Sequence, residues 1–168
     1  QRGNSLIGTQ RAYTNLTSYF SVDGIIYALV NPSKRTCDII DCDYSGATTE
    51  FSIGKSVVYK NVTLSIDSIN TNAFRNNTRM TKMVVDCNHS LPSNMASGCS
   101  SMDTLIITAN VTSIGQYAFQ NCSGLENVTL KNNGMIGLKA FEGSSKGNPA
   151  TYVISNVGLI GESAFANC

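Results

Sequence analysis

From residue 62 onward the apolar positions recur in a fixed order. The pair Ala-Phe appears at Ala73-Phe74, Ala118-Phe119, Ala140-Phe141 and Ala164-Phe165, and Met95-Ala96 fills the gap between the first two. With Phe74, Ala96, Phe119, Phe141 and Phe165 taken as one slot, the steps are 22, 23, 22 and 24 residues. Five residues before each slot stands an aliphatic side chain: Ile69, Leu91, Ile114, Ile136 or Ile160. Three of these precede a glycine, at Gly115, Gly137 and Gly161. Three residues after the slot come Cys99, Cys122 and Cys168, with Asn77 and Ser144 in the other copies. Further on, Met83/Val85, Leu105/Ile107 and Val128/Leu130 alternate with polar neighbours. Two extra residues within 144–149 move the next pair to Tyr152 and Ile154.

Each copy predicts one coil. The alternating pair is a short strand with one face inward. Ile-Gly is a turn with close backbone approach. Ala-Phe returns a large side chain beneath the strand. One such coil cannot enclose a core, but stacked coils can, with parallel strands and like residues in ladders. At this period the expected fold is a β-rich leucine-rich-repeat solenoid. Its convex side should be turns or 3-10 pieces, because no amphipathic helical stretch is visible. The phenylalanines should form a continuous spine, and the slot cysteines should stack as small buried apolar groups.

The N-terminal third reads differently. Residues 1–17 are polar and aperiodic, an arm or linker. Residues 18–61 predict an antiparallel β cap. Asp23-Gly24 between β-rich runs marks a hairpin, and strands are expected at 36–40, 50–53 and 56–59. The cap would cover the apolar end of the first coil. Residues 62–168 are then about five coils, the last one truncated. That last coil implies either a longer protein or an end-to-end contact with another subunit.

The segment Val111-Thr-Ser-Ile-Gly-Gln-Tyr-Ala-Phe-Gln-Asn-Cys-Ser-Gly-Leu-Glu-Asn-Val-Thr-Leu130 resembles the repeat of the BspA-like leucine-rich repeat family, with Val157–Cys168 opening another unit. The likeness runs from about Val62 to Cys168. It departs at Met95-Ala96, at Asn133 and around Pro149. The Val-Asp-Gly-Ile-x-Tyr stretch at Val22–Tyr27 is similar to what precedes the first coil in Bacteroidetes members. The resemblance implies a surface protein engaged in adhesion or recognition, with extracellular matrix or host surface proteins as partners. It carries over no binding residues, because its motif is scaffold.

Composition narrows the chemistry. The chain has 168 residues, 14% of them charged, and a net charge of +1, which is no electrostatic footprint for nucleic acid. No stretch is apolar enough to enter a membrane. Asn, Ser and Thr make up roughly a third of the chain. That surface suggests an extracellular or cell-surface location, with an export signal already removed. Seven Asn-x-Ser/Thr sequons, at Asn15, Asn61, Asn76, Asn88, Asn110, Asn121 and Asn127, are attributed to Asn-rich turns.

No cofactor, metal site or catalytic residue is expected. His89 is the only histidine. With Cys87 and Ser90 beside it, it suggests a nucleophile and base, but neighbours so close in sequence rarely converge on one atom. It is read as a solvated loop residue. Asp41-Cys42-Asp43 lacks the full calcium-loop pattern and is read as a turn. The six cysteines contain no C-x-x-C, and a Cys37–Cys42 bond is disfavoured by strand alternation. The candidate ligand-binding surface is the outward strand face. Its first column is Lys82, Thr104, Asn127 and Thr151. The second is Val84, Ile106, Thr129 and Val153. The third is Asp86, Thr108, Lys131 and Ser155. The exposed β-branched stripe marks either a protein contact or simply strand propensity. The function expected is a non-enzymatic protein-binding module, and the alternative is a spacer or stalk in a larger surface protein.

Overall fold

The computed structural model describes residues 18–147 and 149–168. The arm assigned to residues 1–17 and the sequon at Asn15 lie outside them. Among the described residues there are twelve strands and no helix. Five strands form one parallel sheet in the order β11-β9-β8-β7-β4: β4 (Glu50–Ile53), β7 (Lys82–Val85), β8 (Thr104–Ile107), β9 (Asn127–Leu130) and β11 (Thr151–Ile154). Their register matches the sequence columns residue for residue: Met83 faces Leu105, Leu105 faces Val128, and Val128 faces Tyr152. The extra residues after Ser144 therefore leave Tyr152 and Ile154 in the core columns.

Ile-Gly proves to be more than a turn. It builds a second parallel ladder, Leu91–Ile114–Ile136, which continues as β10 (Met135–Ile136) beside β12 (Leu159–Ile160). A Cβ on Gly137 would stand 2.8 Å from backbone atoms of Gly115 and Gln116, so rungs approach there without room for a side chain. The Ala-Phe segment supplies a third ladder. The N–H groups of Ala96, Phe119 and Phe141 each donate to the next rung's alanine carbonyl at 2.8 Å. The segment is bracketed by left-handed residues. Two before the slot, Asn72, Asn94, Tyr117, Lys139 and Ser163 have φ of 52–65°. Two after it, Asn76, Gly98, Asn121, Gly143 and Asn167 have φ of 57–75°. Asparagine and glycine alternate in that second column because the Asn76 and Asn121 amides occupy the space a side chain on Gly98 or Gly143 would need. The sequons at Asn76 and Asn121 thus sit where the backbone favours asparagine.

The slot phenylalanines share one buried cluster, but their stack is interrupted. Phe119, Phe141 and Phe165 stack at 5.3 and 5.4 Å. Phe74 instead meets Phe51 edge-on at 5.7 Å, because Ala96 offers no ring between Phe74 and Phe119. The slot cysteines are also not merely apolar. Cys99, Cys122 and Cys168 donate S–H to the carbonyls of Phe74, Ala96 and Phe141 at 3.1–3.2 Å. Ser144 serves Phe119 in the same way at 2.7 Å. The column thus gives each buried slot residue's carbonyl a side-chain donor.

The N-terminal sheet has the order β1-β2-β3-β6-β5. β1 (Tyr19–Val22) and β2 (Ile25–Asn31) form the expected hairpin, with Asp23 and Gly24 at φ of 50° and 79°. β3 (Thr36–Cys42) runs antiparallel to β2, and β5 (Ser56–Tyr59) antiparallel to β6 (Val62–Ile69). β3 and β6 are parallel, so the sheet is mixed rather than antiparallel throughout. The reason is topological. After β3 the chain leaves to form β4 in the other sheet, then returns through the β5–β6 hairpin in the direction of β3. The two units consequently interlock across residues 50–69 instead of meeting at 61/62. Asp41 and Cys42 lie buried at the end of β3 rather than in a turn, and Asp43 caps the turn that follows by accepting from Ser45 N–H at 2.9 Å.

Candidate binding face

The outward face of the parallel sheet is built by strand alternation alone. Met83, Val85, Leu105, Ile107, Val128 and Leu130 point inward and are fully buried. Their neighbours are necessarily outward. The first column is Lys82, Thr104, Asn127 and Thr151, and the second Val84, Ile106, Thr129 and Val153, with each member paired to the next in register. Val84, Ile106 and Thr129 are half-buried by their neighbours, and Val153 is exposed. Sequence reading missed the start of both columns. β4 pairs with β7 and adds Glu50 beside Lys82 and Ser52 beside Val84. The signal was the Phe51-x-Ile53 alternation, which matches Met83-x-Val85.

The third column continues the ladder one residue past the strands. The N–H groups of Asp86, Thr108, Lys131 and Ser155 donate to Ile53, Val85, Ile107 and Leu130 carbonyls at 2.7–3.0 Å. Its side chains are partly committed. The Asp86 carboxylate accepts from Thr108 Oγ1 at 2.5 Å and Asn110 Nδ2 at 2.8 Å. Those two hydrogen bonds hold it below the usual carboxylate range, with a smaller contribution from Lys55.

The three residues around His89 do not converge. Cys87 is buried, and its Sγ donates to the His89 carbonyl at 3.7 Å. Burial pushes this thiol up. His89 is not solvated as expected: it is half-buried, and its Nε2 lies 2.7 Å from the Ile66 carbonyl, tying the 86–90 loop to β6. Ser90 Oγ lies 2.9 Å from Thr112 Oγ1 and accepts from Ser113 Oγ at 2.8 Å. All six cysteines are free thiols. Desolvation pushes Cys37 and Cys42 up to about 12, leaving both protonated at neutral pH. Among the described residues, no three His, Cys, Asp or Glu side chains gather as a metal-sized set, and no helix is long and apolar enough to cross a membrane.

Solved structures show the same architecture. A leucine-rich repeat protein from Bacteroides ovatus is 22% identical with a TM-score of 0.66, over 87% of this chain and 38% of that one. One from Bacteroides capillosus is 17% identical with a TM-score of 0.51, over 82% of this chain and 99% of that one. The leucine rich repeat protein of T. pallidum is 13% identical with a TM-score of 0.51, over 90% and 68%. At these identities the likeness shows the fold, and the chain spans little more than a third of the Bacteroides ovatus protein. No curated protein sequence matches it. The BspA type leucine rich repeat region matches residues 50–168 in six copies, one more than the five slots counted from Phe74. That range opens at β4, and the chain belongs to the BspA-type leucine-rich repeat family.

Proposed function

We propose that this chain is a non-enzymatic protein-binding module, exported and displayed at a cell surface, that serves adhesion or recognition of host or extracellular matrix proteins. The stacked rungs form a solenoid, its outward strand face is the binding surface, and the N-terminal sheet caps its first rung. One observation carries this reading: five in-register strands present an extended face whose middle column carries the apolar Val84, Ile106 and Val153, open to a partner. The polar Lys82, Thr104, Asn127 and Lys131 flank it, as a rim flanks an interface core. The test is capture of immobilised extracellular matrix proteins by the wild type and by the Val84→Lys/Ile106→Lys variant. Both sites are outward, so the variant should fold. Its affinity should fall at least about tenfold. Undiminished capture by the variant removes this face from the reading.

A further inference from the structure

The N-terminal sheet holds a feature that this reading does not use. β1 and β5 are its opposite edges, yet Phe20 of β1 stacks on Tyr59 of β5 at 4.4 Å and on Tyr27 at 5.2 Å. The sheet therefore curls until its edges meet through side chains, as a barrel does. At one mouth lies a cavity of about 620 Å3. Buried Phe20 and Leu64 and half-buried Leu29 and Tyr59 give it an apolar lining. The volume falls within the range of small-molecule sites, which favour barrel mouths.

The charge at this mouth has one sign. Among the described residues, Arg35 and Lys60 line the cavity and no Asp or Glu does. Lys60 Nζ sits 5.3 Å from the Tyr59 ring centroid, which holds the ammonium over the aromatic wall. Both cations stand on tight turns at positive φ: 54° for Arg35, and 49° for Lys60 followed by 64° for Asn61. Such positions favour glycine or asparagine. The Arg35 turn is pinned by its N–H donating to Pro32 and its carbonyl accepting from Ser65, at 3.2 and 2.8 Å. Two long cations thus project from tight turns beside a mostly apolar wall.

We propose that this mouth binds a small amphiphilic carboxylate, its apolar body against Phe20, Tyr59 and Leu64 and its head group between Arg35 and Lys60. The guanidinium suits a carboxylate because it donates two parallel hydrogen bonds. The site is separate from the outward sheet face, so it stands or falls independently of the adhesion reading.

The experiment uses the full chain with anilinonaphthalene sulfonate as fluorescent reporter and octanoate or octanol as competitor. Octanoate should displace the reporter at concentrations at least about tenfold below octanol, since only the acid offers a charge-assisted contact. Arg35→Gln with Lys60→Gln should weaken octanoate by about tenfold or more, whereas Lys60→Arg and the remote Lys146→Gln should retain it. Arg35 and Lys60 are exposed, so an unchanged thermal unfolding curve verifies the fold. Equal displacement by octanoate and octanol, indifference to the double substitution, or no displacement at millimolar octanoate overturns the proposal.

Discussion

The stacked rungs and the N-terminal sheet enclose their side chains by opposite means. In the rungs one solution is used again and again: a strand pair inward, an aliphatic residue on the second ladder, a slot residue beneath, and a donor for the slot carbonyl. In the sheet each contact occurs once. Phe20 packs on Tyr27 and Tyr59, and the loop after β3 meets the first rung through Asn77 Nδ2 to the Asp43 carbonyl at 3.2 Å and Tyr44 OH to the Arg75 carbonyl at 2.9 Å. The difference extends to their surfaces. The rungs offer an extended face, dented by about 190 Å3 beside Glu50 and Lys82, while the sheet curls around a much larger cavity. Repetition produces an extended face, and unique packing produces a pocket.

The comparison is sharpest at the aromatic residues. Phe119 is fully buried between rungs and stacks on Phe141, so its replacement leaves a hole that neither neighbour can fill. Phe119→Ala should cost about 3–5 kcal/mol in urea unfolding. Phe20 already borders an open cavity and should cost less, about 2 kcal/mol, when changed to Ala. An equal or larger loss at Phe20 would show that the sheet, not the stack, limits stability.

Glycines separate close approach from backbone strain. Alanine at Gly137 would press its Cβ against fixed backbone of the rung before, and should cost about 1–3 kcal/mol. At Gly147, φ is 83° but nothing lies within 4 Å. Gly147→Ala should therefore show only the left-handed penalty, about 1–2 kcal/mol, and should not exceed Gly137→Ala in the same unfolding assay.

These effects explain which features the sequence could disclose. Columns of Phe, Ile and Leu were legible because one slip of register would turn each apolar side chain outward. The outward columns followed from alternation. Glu50 and Ser52 escaped because the β5–β6 hairpin separates β4 from its own slot, Phe74, and masks the period. The mixed order of the N-terminal sheet depends on where the chain crosses between sheets, which no local pattern encodes. The Asn/Gly column two residues past the slot was visible in the letters, but only the positive φ shared by every member gives it meaning.

The cysteine column tests whether a repeat position is chosen for shape or for its hydrogen. Ser144 performs in one rung what Cys122 does in another, so Cys122→Ser should change stability by less than about 1 kcal/mol. Cys122→Val fills the space but leaves the Ala96 carbonyl without its S–H donor, a loss of about 1–3 kcal/mol. If valine is tolerated as well as serine, the position is apolar packing after all.

The smallest effect concerns the third outward column and decides how much of it a ligand can use. The Asp86 carboxylate is held below its ordinary value chiefly by Thr108 and Asn110. A lowered native value means that the folded state favours the ionised form. Its contribution is complete above the ordinary carboxylate value and fades as pH falls through the native one. The group is exposed, so solvent screens the gain and the useful readout is the titration itself. Thr108→Val should move the Asp86 carboxyl titration, followed by NMR chemical shift, upward toward the ordinary range, and Thr108→Ser should leave it in place. A titration unmoved by valine would assign the shift to Asn110, with Lys55 behind it, and free Thr108 for a partner. If it moves, Asp86 and Thr108 are already spent on one another, and recognition on this face falls to Lys131 and the apolar middle column.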